Sequence, residues 1–283
     1  MPPTTRPTPS PTEPRTPRLY HAAPGASLSA ADALAVVLIA MGTLLAVGGI
    51  SVGLGAPPYA AMAIAQVGML AVALIALRVL RRPPRALGLA PAPARFACAG
   101  VLIGLSAWYL NLALVDALVE VGPEDVETLQ RAVARPSLTL VLLAVALAPA
   151  VCEEVIFRGV LLRGLASRIP PAVALILSAV MFALYHVRPV QMLPTFTLGL
   201  AIGLLSLRAG SILPAMIAHF LNNAMAIVAS REESHALSRA LAAHPYAALA
   251  VFAALFAGGI ALAALTPLAP PPLPRAVASE RGP

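Results

Sequence analysis

The sequence predicts an all-α fold, a polytopic transmembrane helical bundle with about eight spans. Hydrophobic residues make up 59% of the 283 residues and charged residues only 11%, and the mean hydropathy is +0.87. Soluble domains carry about a quarter charged residues, so this composition excludes a soluble fold. Apolar segments of roughly 20 residues, the length that spans a bilayer, follow one another along most of the chain.

The individual spans can be placed from these apolar segments and from the residues that separate them. Proline or glycine lies at most of the boundaries, as expected where helices end. The predicted spans are 32–54, 60–80, 96–116, 138–164, 170–187, 190–208, 211–230 and 245–266. The fifth to seventh are short and closely spaced, so seven spans are the nearest alternative.

The chain divides into four predicted regions. Residues 1–27 are rich in Pro and Thr and poor in large apolar side chains, so we expect a disordered tail. Residues 28–137 hold the first transmembrane helices and their loops. Residues 138–230 hold the second group of helices, and residues 231–283 hold the last transmembrane helix and a C-terminal tail.

The positive charge of the chain comes from arginine alone, because the sequence contains no lysine. Most of these arginines flank apolar segments, which is the pattern of orientation signals and lipid-headgroup contacts. Their distribution predicts a multi-pass protein of the cell (inner) membrane with both termini in the cytoplasm. The expected partner is therefore the lipid bilayer and not nucleic acid, although a pI near 10.4 would suggest nucleic acid for a soluble protein.

Two adjacent carboxylates, Glu153 and Glu154, lie in an otherwise apolar run. A charged side chain at membrane depth costs at least ~2.5–3.5 kcal/mol on insertion scales, so both need partners. Glu154 and Arg158 are four residues apart and share a helix face, so they can form an ion pair. Glu153 points toward another partner. The candidates for that partner are the remaining polar residues at depth, His186, His219, Asn222 and Asn223.

Two further segments carry polar side chains at helical spacing. Phe182 and His186 are four residues apart, as are His219 and Asn223, and residues four apart on a helix project together. Each feature alone has a structural explanation, such as a buried ion pair, a hydrogen-bonded core histidine or an interhelical asparagine bond. Together they favour a functional site in the second half, because the first three spans carry no such polar ridge.

These three patterns resemble the motifs of a known family. Glu-Glu-x-x-x-Arg, then Phe-x-x-x-His, then His-x-x-x-Asn is similar to the motif set of the CAAX protease and bacteriocin-processing (Abi) family of intramembrane proteases. The resemblance covers about 138–230, roughly a third of the chain. It implies that this region is the catalytic core of an intramembrane endopeptidase. The implied substrate is a membrane-associated protein or peptide.

The resemblance also assigns roles to individual residues. The implied catalytic residues are Glu153, His186, His219 and Asn223. The implied supporting residues are Glu154, Arg158, Phe182 and Asn222.

Two mechanisms remain open for such a protease. In the preferred one Glu153 takes a proton from a water held jointly with His186, while His219 and Asn223 donate hydrogen bonds to the oxyanion. This glutamic-type mechanism needs no cofactor. In the alternative, a metallo-type mechanism, Glu153 or Glu154 binds zinc together with His186 and His219.

Two other classes of protein would also place acid and imidazole at membrane depth. A transporter or proton relay predicts substrate flux without peptide cleavage. A non-catalytic immunity or scaffold protein would tolerate the substitution Glu153→Gln.

Overall fold

The computed structural model describes residues 28–122, 136–231 and 235–265, and within these ranges the chain is helical and has no strand. The helices are α1 Ala30–Gly53, α2 Pro58–Val79, α3 Ala94–Leu118, α4 Leu138–Ala166, α5 Pro171–Tyr185, α6 Pro189–Ala209, α7 Leu213–Ser230, α8 His235–Ala243 and α9 Pro245–Leu265. A short 3-10 turn, Pro84–Leu87, lies between α2 and α3. The predicted disordered tail at 1–27 lies outside the described residues.

The predicted fold class is confirmed, and each predicted span corresponds to one helix. Seven helices in the described part of the chain are long and apolar enough to cross a membrane. The exception is α5, whose 15 residues extend about 22 Å at 1.5 Å per residue and fall short of a hydrocarbon core of about 30 Å. The predicted count of eight is therefore seven full-length helices and one short helix. The nine-residue α8 lies before the last predicted span and was not predicted from the sequence.

The helix ends follow local chemistry. Proline occupies the first turn of α2, α5 and α6, where its missing N–H has no intrahelical acceptor to lose. The Ser137 side chain caps α4 by accepting from the Leu140 N–H at 3.4 Å. Gly210 ends α6 in the left-handed conformation (φ 63°), which glycine adopts without steric cost.

Helix α4 is the central element of the bundle, with α1, α2, α5, α6 and α7 packed around it. It contains two π-helical segments, Leu142–Leu147 and Val155–Leu162, and every residue of the second is buried. In a π-helical segment the backbone hydrogen bonds are shifted by one residue, and such segments often mark functional sites. The Phe157 carbonyl accepts a hydrogen bond from the Ser178 hydroxyl of α5 at 3.1 Å.

Helix α7 lies very close to α3, and glycine makes this approach possible. A Cβ added to Gly104 would lie 2.5 Å from the carbonyl oxygen of Ala218, and one added to Gly100 would lie 2.5 Å from that of Pro214. Small residues at such contacts let membrane helices pack backbone to backbone. This contact holds α7 in place at the level of His219, the residue after Ala218.

Candidate active site

The predicted pair of Glu154 and Arg158 forms inside the bundle. Arg158 Nη1 lies 2.9 Å from Glu154 Oε1, and the two side chains are 1% and 0% exposed. Arg158 Nη2 also donates to the Gly199 carbonyl of α6 at 3.3 Å, and its guanidinium carbon lies 4.3 Å from the centre of the Phe182 ring. The guanidinium is thus held by an anion, a carbonyl and an aromatic face, which together compensate for burying its charge.

His219 joins this pair to the second glutamate. Its Nδ1 lies 2.8 Å from Glu154 Oε1, and because a carboxylate can only accept, Nδ1 carries the proton. Its Nε2 lies 3.9 Å from Glu153 Oε2. Glu154 therefore fixes the orientation of the imidazole so that its second nitrogen faces Glu153.

Glu153 finds its direct hydrogen-bond partners on two residues that the sequence analysis did not select. Gln66 Nε2 of α2 donates to Glu153 Oε1 at 2.6 Å, and the Tyr185 hydroxyl donates to the same oxygen at 3.3 Å. Oε2 is buried and has no hydrogen-bond partner among the described residues. In the sequence Gln66 is the one amide in the apolar segment of α2, which marks it as unusual, but no pattern links it to Glu153.

His186 lies at the C-terminal end of α5, beside Tyr185. Its Nδ1 is 2.9 Å from the Phe182 carbonyl, and its ring stands edge-on to the rings of Phe182 and Tyr185 at 5.0 Å. Electrostatic interactions link its imidazole to Glu153 and His219. Val187 follows with φ 61°, a left-handed conformation that β-branched residues rarely adopt, so the chain turns sharply just after this imidazole.

The two asparagines lie one turn further along α7 and bond to α4 and to each other. Asn223 Nδ2 is 3.5 Å from the Val145 carbonyl, and Asn222 Nδ2 donates to Asn223 Oδ1 at 3.1 Å. Asn223 thus contacts α4 within its first π-helical segment, Leu142–Leu147. These hydrogen bonds do not reach Glu153 directly.

The residues also allow a test of the zinc alternative. Among the side chains that the structure describes, no three from His, Cys, Asp and Glu form a group that could hold a metal ion. Glu154 Oε1 already contacts both Arg158 and His219, and His186 Nδ1 is turned to a carbonyl. Glu153 Oε2 and Glu154 Oε2, however, are buried without a hydrogen-bond partner among the described residues, so the zinc alternative remains a prediction.

The fold and the site together define a class of protein. The chain is a multi-pass helical membrane protein with two carboxylates, two imidazoles, an arginine and several amides grouped inside the bundle. Ionisable residues at such depth are costly and usually functional.

A comparison with protein families identifies the class of protein more closely. Residues 135–225 match the family described as "Type II CAAX prenyl endopeptidase Rce1-like", about a third of the chain. The matched segment contains all three motifs, and it confirms the resemblance to the CAAX protease family of intramembrane endopeptidases. Neither the search of curated proteins nor that of solved structures found a match.

Proposed function

We propose that this chain hydrolyses a peptide bond of a membrane-associated protein or peptide inside the bilayer, and that Glu153 activates the attacking water. The observation that carries this proposal is the asymmetry of the Glu153 carboxylate. Oε1 accepts two hydrogen bonds, whereas Oε2 has none among the described residues and lies 3.9 Å from His219 Nε2. An unpaired carboxylate oxygen beside an imidazole is suited to act as a general base.

The proposed chemistry follows from the 3.9 Å between Glu153 Oε2 and His219 Nε2. The oxygen and the nitrogen are too far apart for a direct hydrogen bond, but one water can bond to both at about 2.8 Å. Glu153 takes a proton from that water, and the hydroxide oxygen forms a bond to the carbonyl carbon of the scissile peptide. When the C–N bond breaks, the same proton passes to the leaving amine, so the carboxylate is regenerated.

In this proposal His219 has a different role from the one expected from the sequence. His219 would hold the water with Glu153, because its Nε2 faces Oε2. Asn223 would donate to the oxygen of the substrate carbonyl, since it uses only one of its two amide N–H groups on Val145. His186 Nδ1 donates to the Phe182 carbonyl, so His186 would donate to the same oxygen only as an imidazolium, through Nε2. Removing one oxyanion donor typically lowers kcat by ~10²–10³.

The test is a comparison of membrane-protein termini in cells that produce wild type, Glu153→Gln or Glu120→Gln. Glu153→Gln keeps the shape of the side chain and removes the base, while Glu120 is exposed and distant in sequence from the site motifs. We expect a set of new termini in wild-type and Glu120→Gln cells that Glu153→Gln cells lack.

Identical termini in all three strains would overturn the proposal. That outcome would favour a scaffold or a transporter, and a transporter would in addition show substrate flux that depends on Glu153.

Metal dependence is a separate question with its own experiment. We propose that the reaction proceeds without a metal, because Glu153 Oε2 and His219 Nε2 are placed to hold one water between them. Cleavage is then expected to continue after exhaustive chelation, and the purified protein should carry no stoichiometric zinc. Loss of cleavage on chelation, with recovery on adding zinc, would favour the metallo-type alternative.

We further propose a place in the cell (inner) membrane with both termini in the cytoplasm. If the short α5 counts as a crossing, the chain crosses an even number of times and its two ends lie on one side. Reporter proteins fused to each end should then both be active in the cytoplasm. Reporters active on opposite sides would mean that α5 does not cross.

A further inference from the structure

Helix α2 lies outside the segment that matches the protease family, yet it contributes a direct contact to the proposed base. Gln66 sits in the middle of α2 and is 2% exposed. Burying an amide without a hydrogen bond is costly, so a glutamine at this depth needs a partner. That partner is Glu153 Oε1, 2.6 Å from Gln66 Nε2 and 87 residues further along the chain.

Tyr185 completes the contact. The Gln66 amide has two N–H groups, and its nitrogen lies 3.3 Å from the Tyr185 hydroxyl oxygen as well as 2.6 Å from Glu153 Oε1. The Tyr185 hydroxyl donates in turn to Glu153 Oε1 at 3.3 Å. Three groups from α2, α4 and α5 thus form a closed triangle around one carboxylate oxygen.

This triangle distinguishes the two oxygens of Glu153. Without it, the carboxylate could rotate about its Cγ–Cδ bond and exchange Oε1 with Oε2 at the face of His219. With both donors on Oε1, rotation would break two buried hydrogen bonds, which are stronger than neutral ones because the acceptor is charged. The oxygen that faces His219 Nε2 is then always the one without a partner.

We infer that Gln66 is a positioning residue for the reaction and that, together with Tyr185, it fixes the Glu153 carboxylate in its productive orientation. The inference rests on the proposed function, because it assigns a role to Gln66 through Glu153. It also means that the site is not contained in the motif-bearing segment alone.

The experiment uses the full-length protein in lipid nanodiscs. The substrate is a synthetic peptide that contains the cleavage site of the most strongly Glu153-dependent terminus from the cell comparison. Gln66→Met keeps the length of the side chain and removes the donor, and Tyr185→Phe removes only a hydroxyl. The matched control is Asn111→Leu, which removes a buried amide of α3 whose hydrogen bonds run to Pro194 and Thr197.

We expect Gln66→Met to lower kcat by about 10–100-fold, because a misplacement of about 1 Å can cost 10²-fold in rate. KM should change by less than about 3-fold, because Gln66 contacts the proposed base and not the substrate. Tyr185→Phe should lower kcat less, and the double variant should lose less than the product of the two single losses. Asn111→Leu should cleave at the wild-type rate even where its unfolding temperature falls.

A kcat for Gln66→Met within about 2-fold of wild type would overturn the inference. If Gln66→Met does not fold, the Tyr185→Phe variant tests the inference instead. An unchanged kcat in Tyr185→Phe would likewise overturn the inference. If kcat falls as much in Asn111→Leu as in Gln66→Met, the effect is a general loss of packing. That result would also overturn the inference. Cleavage by Glu153→Gln would refute the proposed function itself and is thus distinguishable from all three.

Discussion

Helices α4 and α9 are both long and apolar enough to cross a bilayer, but their surroundings differ. In the most apolar 18-residue stretch of each, 61% of the α4 residues are buried and 11% of the α9 residues. Helix α4 carries Glu153, Glu154 and Arg158, whereas α9 has no charged residue. Apolar character therefore predicts a crossing, while polar residues at depth predict which crossing lies at the centre, because only protein can satisfy them there.

The two helices are also held in different ways. Helix α4 is held along its length by side chains from neighbouring helices. Helix α9 packs mainly against α3, with Phe252 against the rings of Trp108 and Tyr109. At its C-terminal end Arg208 Nε and Nη2 donate to the carbonyls of Ala263 and Ala264 at 3.2 and 2.7 Å. A cation at a helix C-terminus satisfies carbonyls that have no intrahelical donor.

The largest expected effect tests the charged centre of α4. Arg158→Leu leaves the buried Glu154 without its cation, and removing one partner of a buried ion pair typically costs about 3–5 kcal/mol. The free energy of unfolding, measured in bicelles, should fall by this amount. The control Arg239→Leu removes an exposed arginine of α8 and should change the free energy of unfolding by less than about 0.5 kcal/mol. Equal changes in the two variants would contradict the central role of α4.

The next effect compares the same substitution in the two helices. Leu161 of α4 is 1% exposed and Leu249 of α9 is 41% exposed. Leu161→Ala leaves a cavity between helices and should cost about 2 kcal/mol, the lower end of the range for buried leucines, since lipid is as apolar as the core. Leu249→Ala faces the outside and should cost less than about 0.5 kcal/mol. The free energy of unfolding is measured for both variants under the same conditions. Similar losses in the two variants would contradict the difference between α4 and α9.

The smallest effect concerns a single hydrogen bond onto α4. Ser178→Ala removes the hydroxyl that donates to the Phe157 carbonyl in the second π-helical segment. Interhelical hydrogen bonds in membranes average about 0.6 kcal/mol, so the free energy of unfolding should fall by about this much. A loss of more than about 2 kcal/mol would mean that the π-helical segment itself depends on this bond.

Much of this architecture could be predicted from the sequence, because membrane helices are defined by local composition. The apolar runs located every long helix, and the four-residue spacing predicted the pairing of Glu154 with Arg158. The shortness of α5 was harder to see, since the apolar run continues to Val187 although the helix ends at Tyr185. The division of the chain into four regions remains a prediction.

The contacts of Glu153 could not be predicted, for a physical reason. Gln66 reaches it only because α2 packs against α4, and no pattern within α2 specifies that neighbour. The link from His219 to Glu154 likewise depends on how closely α7 approaches α3 at Gly104. The catalytic and supporting roles given to these residues remain predictions until the variants are measured.

The 15 residues of α5 have a consequence for the lipid around the protein. One side of this helix is exposed at Val173, Ile176, Leu177, Val180 and Leu184, so acyl chains meet it directly. A hydrophobic face shorter than the local bilayer is accommodated by thinning of the bilayer, at a modest cost per ångström of mismatch. If α5 crosses the bilayer, the leaflet beside His186 would be drawn inward, and the path of water from the headgroups to the carboxylates would shorten. Lipids with longer acyl tails would oppose this thinning, so the thickness of the host membrane would then act on the entry of water.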